Sequence, residues 1–203
     1  GSDKDYRTMR ITEYLNLVDR IIHQQIQDIK QLPFEGKNDL STYFELLSDS
    51  SLLKQEYVRM LATGNKSERA SLERALREQI TAGFIEVNIM TKADRENFLR
   101  GEKLPREYSD AMAALRGFAK STLRSSVVFS AGLNPYLYSY VGEFDDFITL
   151  ENGELKKKVT LKVSDFRSAS IQAKLLAKKG IWVSEYRIES GLNCGGHAFP
   201  TEG

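Results

Sequence analysis

The residues with the clearest potential for chemistry lie near the end of the sequence, in residues 189–197. Two adjacent glycines, Gly195 and Gly196, follow a strand-like segment there, and His197 comes directly after them. Glycines at a strand end let the backbone approach a ligand closely and offer its N–H groups without obstruction. Since the unperturbed pKa of histidine is about 6.5, His197 could carry a proton near neutral pH. The ordinary alternative is a tight turn with a solvated imidazole.

Two other side chains, Asn88 and Lys162, stand where a strand could present them to a ligand. Asn88 marks the end of the first strand-like run. Lys162 lies between Leu161 and Val163, an unusual place for a lysine in a buried parallel strand. Lys162 could direct a cation at an anionic ligand. It could equally be a paired or snorkelling lysine at a sheet edge.

The remaining histidine and the single cysteine do not favour a site of their own. His23 stands among glutamines in a helical pattern, which is typical of a surface residue. Cys194 has no fixed basic neighbour that would stabilise a thiolate, so we interpret it as an inert small residue. One cysteine and two distant histidines give no recognisable zinc ligand set. We therefore expect no metal site.

Residues 1–82 show the periodicity of helices. The apolar residues of the first helix recur at helical spacing: Ile11, Leu15, Val18, Ile22, Ile26 and Ile29. Pro33 and Gly36 interrupt the pattern, and three shorter helical segments follow. We therefore expect an N-terminal helical region over residues 1–82.

From residue 83 onward the pattern alternates between strands and helices. Strand-like runs occur at residues 84–90, 126–130, 159–163 and 181–188, and helical runs at 106–120, 136–141 and 166–179. This alternation favours right-handed parallel crossovers, and therefore a doubly wound sheet or a (β/α)8 barrel. Periodicity does not choose between the two. In both architectures, ligands bind beyond the carboxyl ends of the strands.

Several local signals predict where these elements begin and end. Asn134 and Pro135 suit the N-cap and first position of one helix, and Asp165 suits the N-cap of the next. Gly180 suits the end of that helix. Asn152 and Gly153 between apolar residues predict a type I′ hairpin inserted between two units.

The composition excludes several classes of protein. The 203 residues carry 29 Lys and Arg against 28 Asp and Glu, so no global field attracts nucleic acid or an acidic membrane. The apolar runs are far shorter than the roughly 20 residues that a membrane helix needs. No secretory signal is visible, and one cysteine supports no disulfide framework. We expect a cytoplasmic protein with a small-molecule substrate.

The order of these motifs resembles the nitronate monooxygenase (2-nitropropane dioxygenase) family, which includes flavin-type enoyl reductases. The resemblance covers the chain from about Ala70. The segments that carry it are Val87-Asn88, the turn at residues 131–135, the strand and helix at 159–179, and Glu189 followed by Gly195-Gly196-His197. The resemblance implies that residues 83–203 correspond to strands 3 to 6 of an FMN-binding TIM barrel, preceded by the helical region.

The resemblance also implies a site. Asn88 and Lys162 would lie near the flavin, Gly195 and Gly196 would pass close to its ring system, and His197 would take the position of the family's active-site histidine. Strands seven and eight of the barrel, whose loops normally hold the flavin phosphate, would lie beyond residue 203. We therefore expect the chain to be a fragment of a longer protein, with parallel strand edges that favour association into a homo-oligomer.

Two alternatives to an FMN-dependent oxidoreductase remain open on the sequence. The chain could be a non-catalytic α/β binding or structural module derived from the same fold, with the helical region holding a partner. It could also be a glutamate synthase-like flavin domain, because those barrels carry a comparable glycine-rich segment. Whether the chain is an enzyme depends on the presence of the intact barrel.

Overall fold

The computed structural model describes residues 3–130 and 132–189, which form two compact units. One unit comprises Val18–Gly83, and the other combines the residues up to Leu17 with those from Phe84 onward. Helix α1, Tyr6–Gln31, contributes to both units. Among the described residues, no helix is long and apolar enough to span a bilayer.

The unit Val18–Gly83 is helical. After α1 come α2 (Asp39–Glu45), α3 (Leu52–Ala62) and α4 (Lys66–Glu78). The Asn38 side chain begins α2 because its oxygen accepts hydrogen bonds from the backbone N–H groups of Leu40 and Ser41. The buried core of this unit consists of Phe34, Leu40, Phe44, Tyr57, Met60, Leu76 and Ile80.

The other unit contains a parallel sheet and three further helices. In chain order its elements are β1 (Glu86–Met90), the short hairpin β2 (Phe98–Leu99) and β3 (Glu102–Lys103), α5 (Asp110–Lys120), β4 (Ser126–Ser130), α6 (Pro135–Val141), β5 (Lys158–Val163), α7 (Phe166–Ala177) and β6 (Val183–Ile188). The main sheet has the order β1-β4-β5-β6, and all its pairs are parallel.

The α/β architecture predicted from the alternation is confirmed, whereas a closed barrel is not present among residues 3–130 and 132–189. The described strands number six, and four of them form the parallel sheet. Neighbours in this sheet follow chain order without the reversal at which doubly wound folds switch direction. Chain order is the arrangement that successive crossovers in one direction produce.

The predicted helix boundaries at Asn134, Pro135 and Asp165 are confirmed. The Asn134 side chain accepts a hydrogen bond from the Leu137 N–H at 3.1 Å, and Pro135 is the first residue of α6. Asp165 accepts from the Ser168 N–H at 2.7 Å and begins α7. The helical pattern predicted from residue 106 divides, because residues 106–108 form a 3-10 turn before α5.

The predicted type I′ hairpin at Asn152 and Gly153 is wrong. Gly153 has a positive φ of 82°, but Asn152 is not among the described residues with positive φ, and a type I′ turn requires it at both central positions. The Leu150 N–H donates to the Glu154 carbonyl at 2.8 Å, and no strands flank this turn in the described structure. Phe147, just before it, is buried in the core instead of pairing in a ladder.

Helix α5 packs between the sheet and the first part of α1. Thr8 Oγ1 donates to the Ala113 carbonyl at 3.3 Å, and a Cβ on Gly117 would lie 2.6 Å from Ile11 Cγ2, so small residues permit this close approach. Arg116, which is 7% exposed, pairs with the Asp5 carboxylate across the same contact. The start of α1 is therefore attached to the sheet through α5.

Candidate functional site

The two faces of the parallel sheet differ in chemistry. Val127, Phe129 and Leu161 point to the helix side and belong to the apolar core. The register places the alternate residues on the opposite side. We call this second side the polar face; its members are Glu86, Asn88, Ser126, Val128, Ser130, Lys158, Thr160, Lys162, Glu185 and Arg187.

The polar face is concave. Glu86 lies on β1 and Arg187 on β6, the two outermost strands of the sheet. Three strand spacings, about 14 Å across a flat sheet, separate the two strands, and the register places Arg187 level with Met90, four residues beyond Glu86. Yet the Arg187 guanidinium donates to both Glu86 carboxylate oxygens, at 2.8 and 2.7 Å. The sheet must therefore curve towards this side for the two side chains to meet.

Asn88 and Lys162 both lie on the polar face. The sequence suggested that Asn88 ends its strand, but β1 continues to Met90. Its Oδ1 accepts a hydrogen bond from Ser130 Oγ on the neighbouring strand at 2.7 Å. Its amide nitrogen donates to no described group.

Lys162 forms an ion pair. Its Nζ lies 2.9 Å from Glu189 Oε2, and the two side chains are 20% and 21% exposed. The Glu189 N–H donates to the Val163 carbonyl at 2.9 Å, which continues the ladder one residue beyond β6. Lys162 is thus paired, although it lies on an inner strand and not at a sheet edge, and its partner stands at the carboxyl end of the sheet.

Residues 195–197 lie outside the described residues. Gly195, Gly196 and His197 therefore cannot be placed relative to Asn88 and Lys162, and the same holds for Cys194. The chain approaches them from Glu189, beside Lys162.

The carboxyl edge between β1 and β4 carries a cation that the sequence analysis did not single out. Thr91 Oγ1 donates to the Ser130 carbonyl at 2.9 Å, and the Asn134 amide donates to the Thr91 carbonyl at 3.0 Å. The Lys92 side chain crosses Gly132, where a Cβ would lie 2.2 Å from Lys92 Cε. Gly132 has a φ of 105°, which favours glycine. The only signal was a lysine two residues after a strand-like run.

Charge on the polar face is largely compensated within the face. Arg187 also pairs with Glu185 at 2.7 Å. Hydrogen bonding from the Arg187 guanidinium holds the pKa of the Glu86 carboxyl below its usual range. The hydrogen bonds to Glu86 and Glu185 raise the pKa of Arg187.

A cleft lies at the opposite, amino end of the strands. It consists of a cavity of about 610 Å³ and an adjoining one of about 230 Å³, which share Phe84, Lys158 and Ser184. We call the two together the amino-end cleft. Its other lining residues include Arg124, Ser125, Glu154, Lys156, Thr160 and Trp182. No expectation from the sequence pointed to this end of the sheet.

The described part of the chain contains no group of three His, Cys, Asp or Glu side chains that could hold a metal ion. Comparison with known proteins gives no further guide, because no family model, curated protein or solved structure matches the chain.

Proposed function

We propose that this chain is part of an FMN-dependent oxidoreductase of the nitronate monooxygenase or enoyl reductase type. In this proposal the carboxyl half of the polar face lies beside the flavin, and the parallel sheet is one segment of a (β/α)8 barrel. The observation that carries the proposal is that Asn88 and Lys162, singled out from the sequence, share one concave polar face. The chain-order arrangement of four parallel strands also supports a barrel segment.

The side chains at this end suit the polar edge of a flavin ring. The Asn88 amide has a donor without a described partner, while its oxygen is already held by Ser130. Lys162 and Lys92 bring positive charge to the carboxyl end, and the Glu189 carboxylate holds Lys162 in place. Flavin carries negative charge on its ring edge when reduced, and fixed cations stabilise such charge. The residues described here supply nothing for the flavin phosphate, which barrels of this kind bind after strands seven and eight.

FMN would supply the electron transfer that amino-acid side chains lack. The protein's part is to bind the ring, orient it and move protons beside it. We assign proton transfer to His197, because an imidazole can donate and accept protons near neutral pH. Gly195 and Gly196 would allow the backbone to approach the ring. The substrate is a small molecule, either an alkyl nitronate or a conjugated carbonyl compound.

A titration of FMN fluorescence with the purified chain tests the proposal. We expect saturable quenching, and Lys162→Met should weaken the affinity at least about tenfold because it removes a charge-assisted contact. Lys158→Met is the matched control, since Lys158 lies on the same strand and the same face, at the opposite end. This variant should bind FMN with an affinity within about twofold of that of the unmodified chain. No saturable quenching, or a larger effect of Lys158→Met, would contradict the assignment.

His197 needs a separate experiment with the complete enzyme. His197→Ala should leave FMN bound and abolish turnover of nitronate or enoyl substrate, because it removes the proton carrier and not a flavin anchor. Unchanged turnover would remove the catalytic assignment.

The second candidate is a non-catalytic binding module of the same fold. It is favoured by the internal compensation of charge on the polar face, where Lys162 pairs with Glu189, and Arg187 pairs with Glu86 and Glu185. Such pairs can serve structure alone. In that case the chain would show no FMN quenching, and Lys162→Met would change only the stability of the fold.

A further inference from the structure

The amino-end cleft contains two hydroxyl groups that lack hydrogen-bond partners. Ser125 is 2% exposed and Thr160 is fully buried, yet Ser125 Oγ and Thr160 Oγ1 form no hydrogen bond with any described residue. Ser125 lines the larger cavity and Thr160 the smaller one. Buried hydroxyls are normally satisfied, so a pair of unsatisfied ones beside a cavity indicates that something polar fills it.

Two aromatic rings border the same cleft and are mostly exposed. Trp182 is 67% exposed and Phe84 is 71% exposed, although both line the larger cavity. Both rings therefore line one cavity with exposed faces, and flat rings offer their faces to other planar groups. The cleft therefore has a surface on which a planar ring can stack.

Positive charge in the cleft is only partly neutralised. Lys156 pairs with Asp146 at 3.1 Å. Lys158 lies 4.8 Å above the Phe84 ring and, like Arg124, makes no ion pair within the described residues. Of the described carboxylates, Glu154 lines the larger cavity, and Glu86 and Glu185, which line the smaller one, pair with Arg187. Cations next to an aromatic face are suited to a ligand that carries a phosphate on a planar ring system.

We propose that the amino-end cleft binds a nucleotide, with its base stacked at Trp182 and Phe84 and its phosphate at Lys158 and Arg124. The hydroxyls of Ser125 and Thr160 bond to polar atoms of the base or the ribose. This site is independent of the flavin assignment, because it lies at the opposite end of the strands and uses none of the same side chains. Inorganic phosphate alone would leave the aromatic rings uncovered, and a nucleoside alone would leave the cations unpaired.

The chain reports on this cleft directly, because Trp182 is its only tryptophan. Intrinsic tryptophan fluorescence should be titrated with AMP, adenosine and inorganic phosphate. We expect a saturable change with AMP, and an affinity for adenosine or phosphate at least about tenfold lower. No saturable change with AMP would overturn the proposal. Equal competition by inorganic phosphate would overturn the nucleotide assignment, since the rings would then contribute nothing.

Two variants separate binding from folding. Lys158→Met should weaken AMP binding at least about tenfold, whereas Lys162→Met on the same strand should leave it within about twofold. Thr160→Val keeps the side-chain shape and removes only the hydroxyl, so it should weaken AMP binding while the chain remains folded. Unchanged AMP affinity in both Lys158→Met and Thr160→Val would overturn the placement. A loss of FMN quenching with AMP binding retained would affect the flavin proposal and not this one.

Discussion

The two faces of the parallel sheet are built from the same strands but serve different purposes. On the helix side, Phe129 and Leu161 are fully buried in the apolar core. One residue further along the strands, Ser130 and Lys162 engage in hydrogen bonds and ion pairs on a concave surface. The helix side accounts for stability through burial. Polar and charged side chains on a face of such a small sheet cost stability. We therefore place function on the polar face.

The polar face itself differs between its two ends. At the carboxyl end, Lys162 pairs with Glu189. At the amino end, Thr160 has an unsatisfied hydroxyl and Lys158 has no carboxylate partner among the described residues. Substitutions along β4 and β5 can therefore measure how the faces and the ends differ.

The largest effect is expected on the helix side. Phe129→Ala should lower the free energy of unfolding by about 3–5 kcal/mol, because it removes a fully buried ring and leaves a cavity. Phe84→Ala is the control. Since Phe84 is 71% exposed, this substitution should change the free energy of unfolding by less than about 0.5 kcal/mol. Denaturation by urea measures both. Similar losses in the two variants would mean that Phe84 is covered in solution.

At the carboxyl end, Lys162→Met should lower the free energy of unfolding by about 1–3 kcal/mol, because Glu189 then keeps a half-buried charge without this partner. Lys158→Met at the amino end should change it by less than about 0.5 kcal/mol, since Lys158 has no ion pair among the described residues. Urea denaturation of the two variants compares the ends directly. Equal losses of unfolding free energy in the two variants would contradict the difference between the two ends.

At the amino end, Thr160→Val should raise the free energy of unfolding by about 1 kcal/mol. The substitution replaces a buried hydroxyl that lacks a partner with a methyl group of the same shape. The exposed Thr149 provides a control, and Thr149→Val should be neutral within about 0.5 kcal/mol. Thermal and urea unfolding measure the difference. A destabilised Thr160→Val would mean that the hydroxyl is satisfied in solution.

The smallest effect is expected at the ion pair between Glu86 on β1 and Arg187 on β6. Glu86→Gln should lower stability at pH 7 by less than about 1 kcal/mol, because the Glu86 and Arg187 side chains are 36% and 35% exposed. The folded pKa of Glu86 is depressed from 4.5, so its contribution is present above that value and is lost as the pH falls through the folded pKa. Wild type and variant should therefore converge in acid. A difference that persists at low pH would assign the effect to packing.

The sequence predicted well those features that depend on neighbouring residues. Asn134 and Asp165 cap the helices expected of them, because an N-cap needs only a side-chain oxygen and the next N–H groups. The alternation of strands and helices also led to the parallel sheet. Asn152 shows the limit of such local signals: the turn exists and Leu150 bonds to Glu154, but no described strands extend from it, and Phe147 before it lies in the core.

Residue type and spacing by themselves thus determined the helical and strand-forming segments, their caps and the presence of Lys162 in a strand. Only the tertiary structure decided that Lys162 meets Glu189, that Arg187 reaches Glu86 across the sheet, and that Ser125 and Thr160 border a cleft. The physical reason is distance along the chain. Caps form within a few residues, whereas the curvature of the sheet, and every contact across it, depends on strands that lie tens of residues apart.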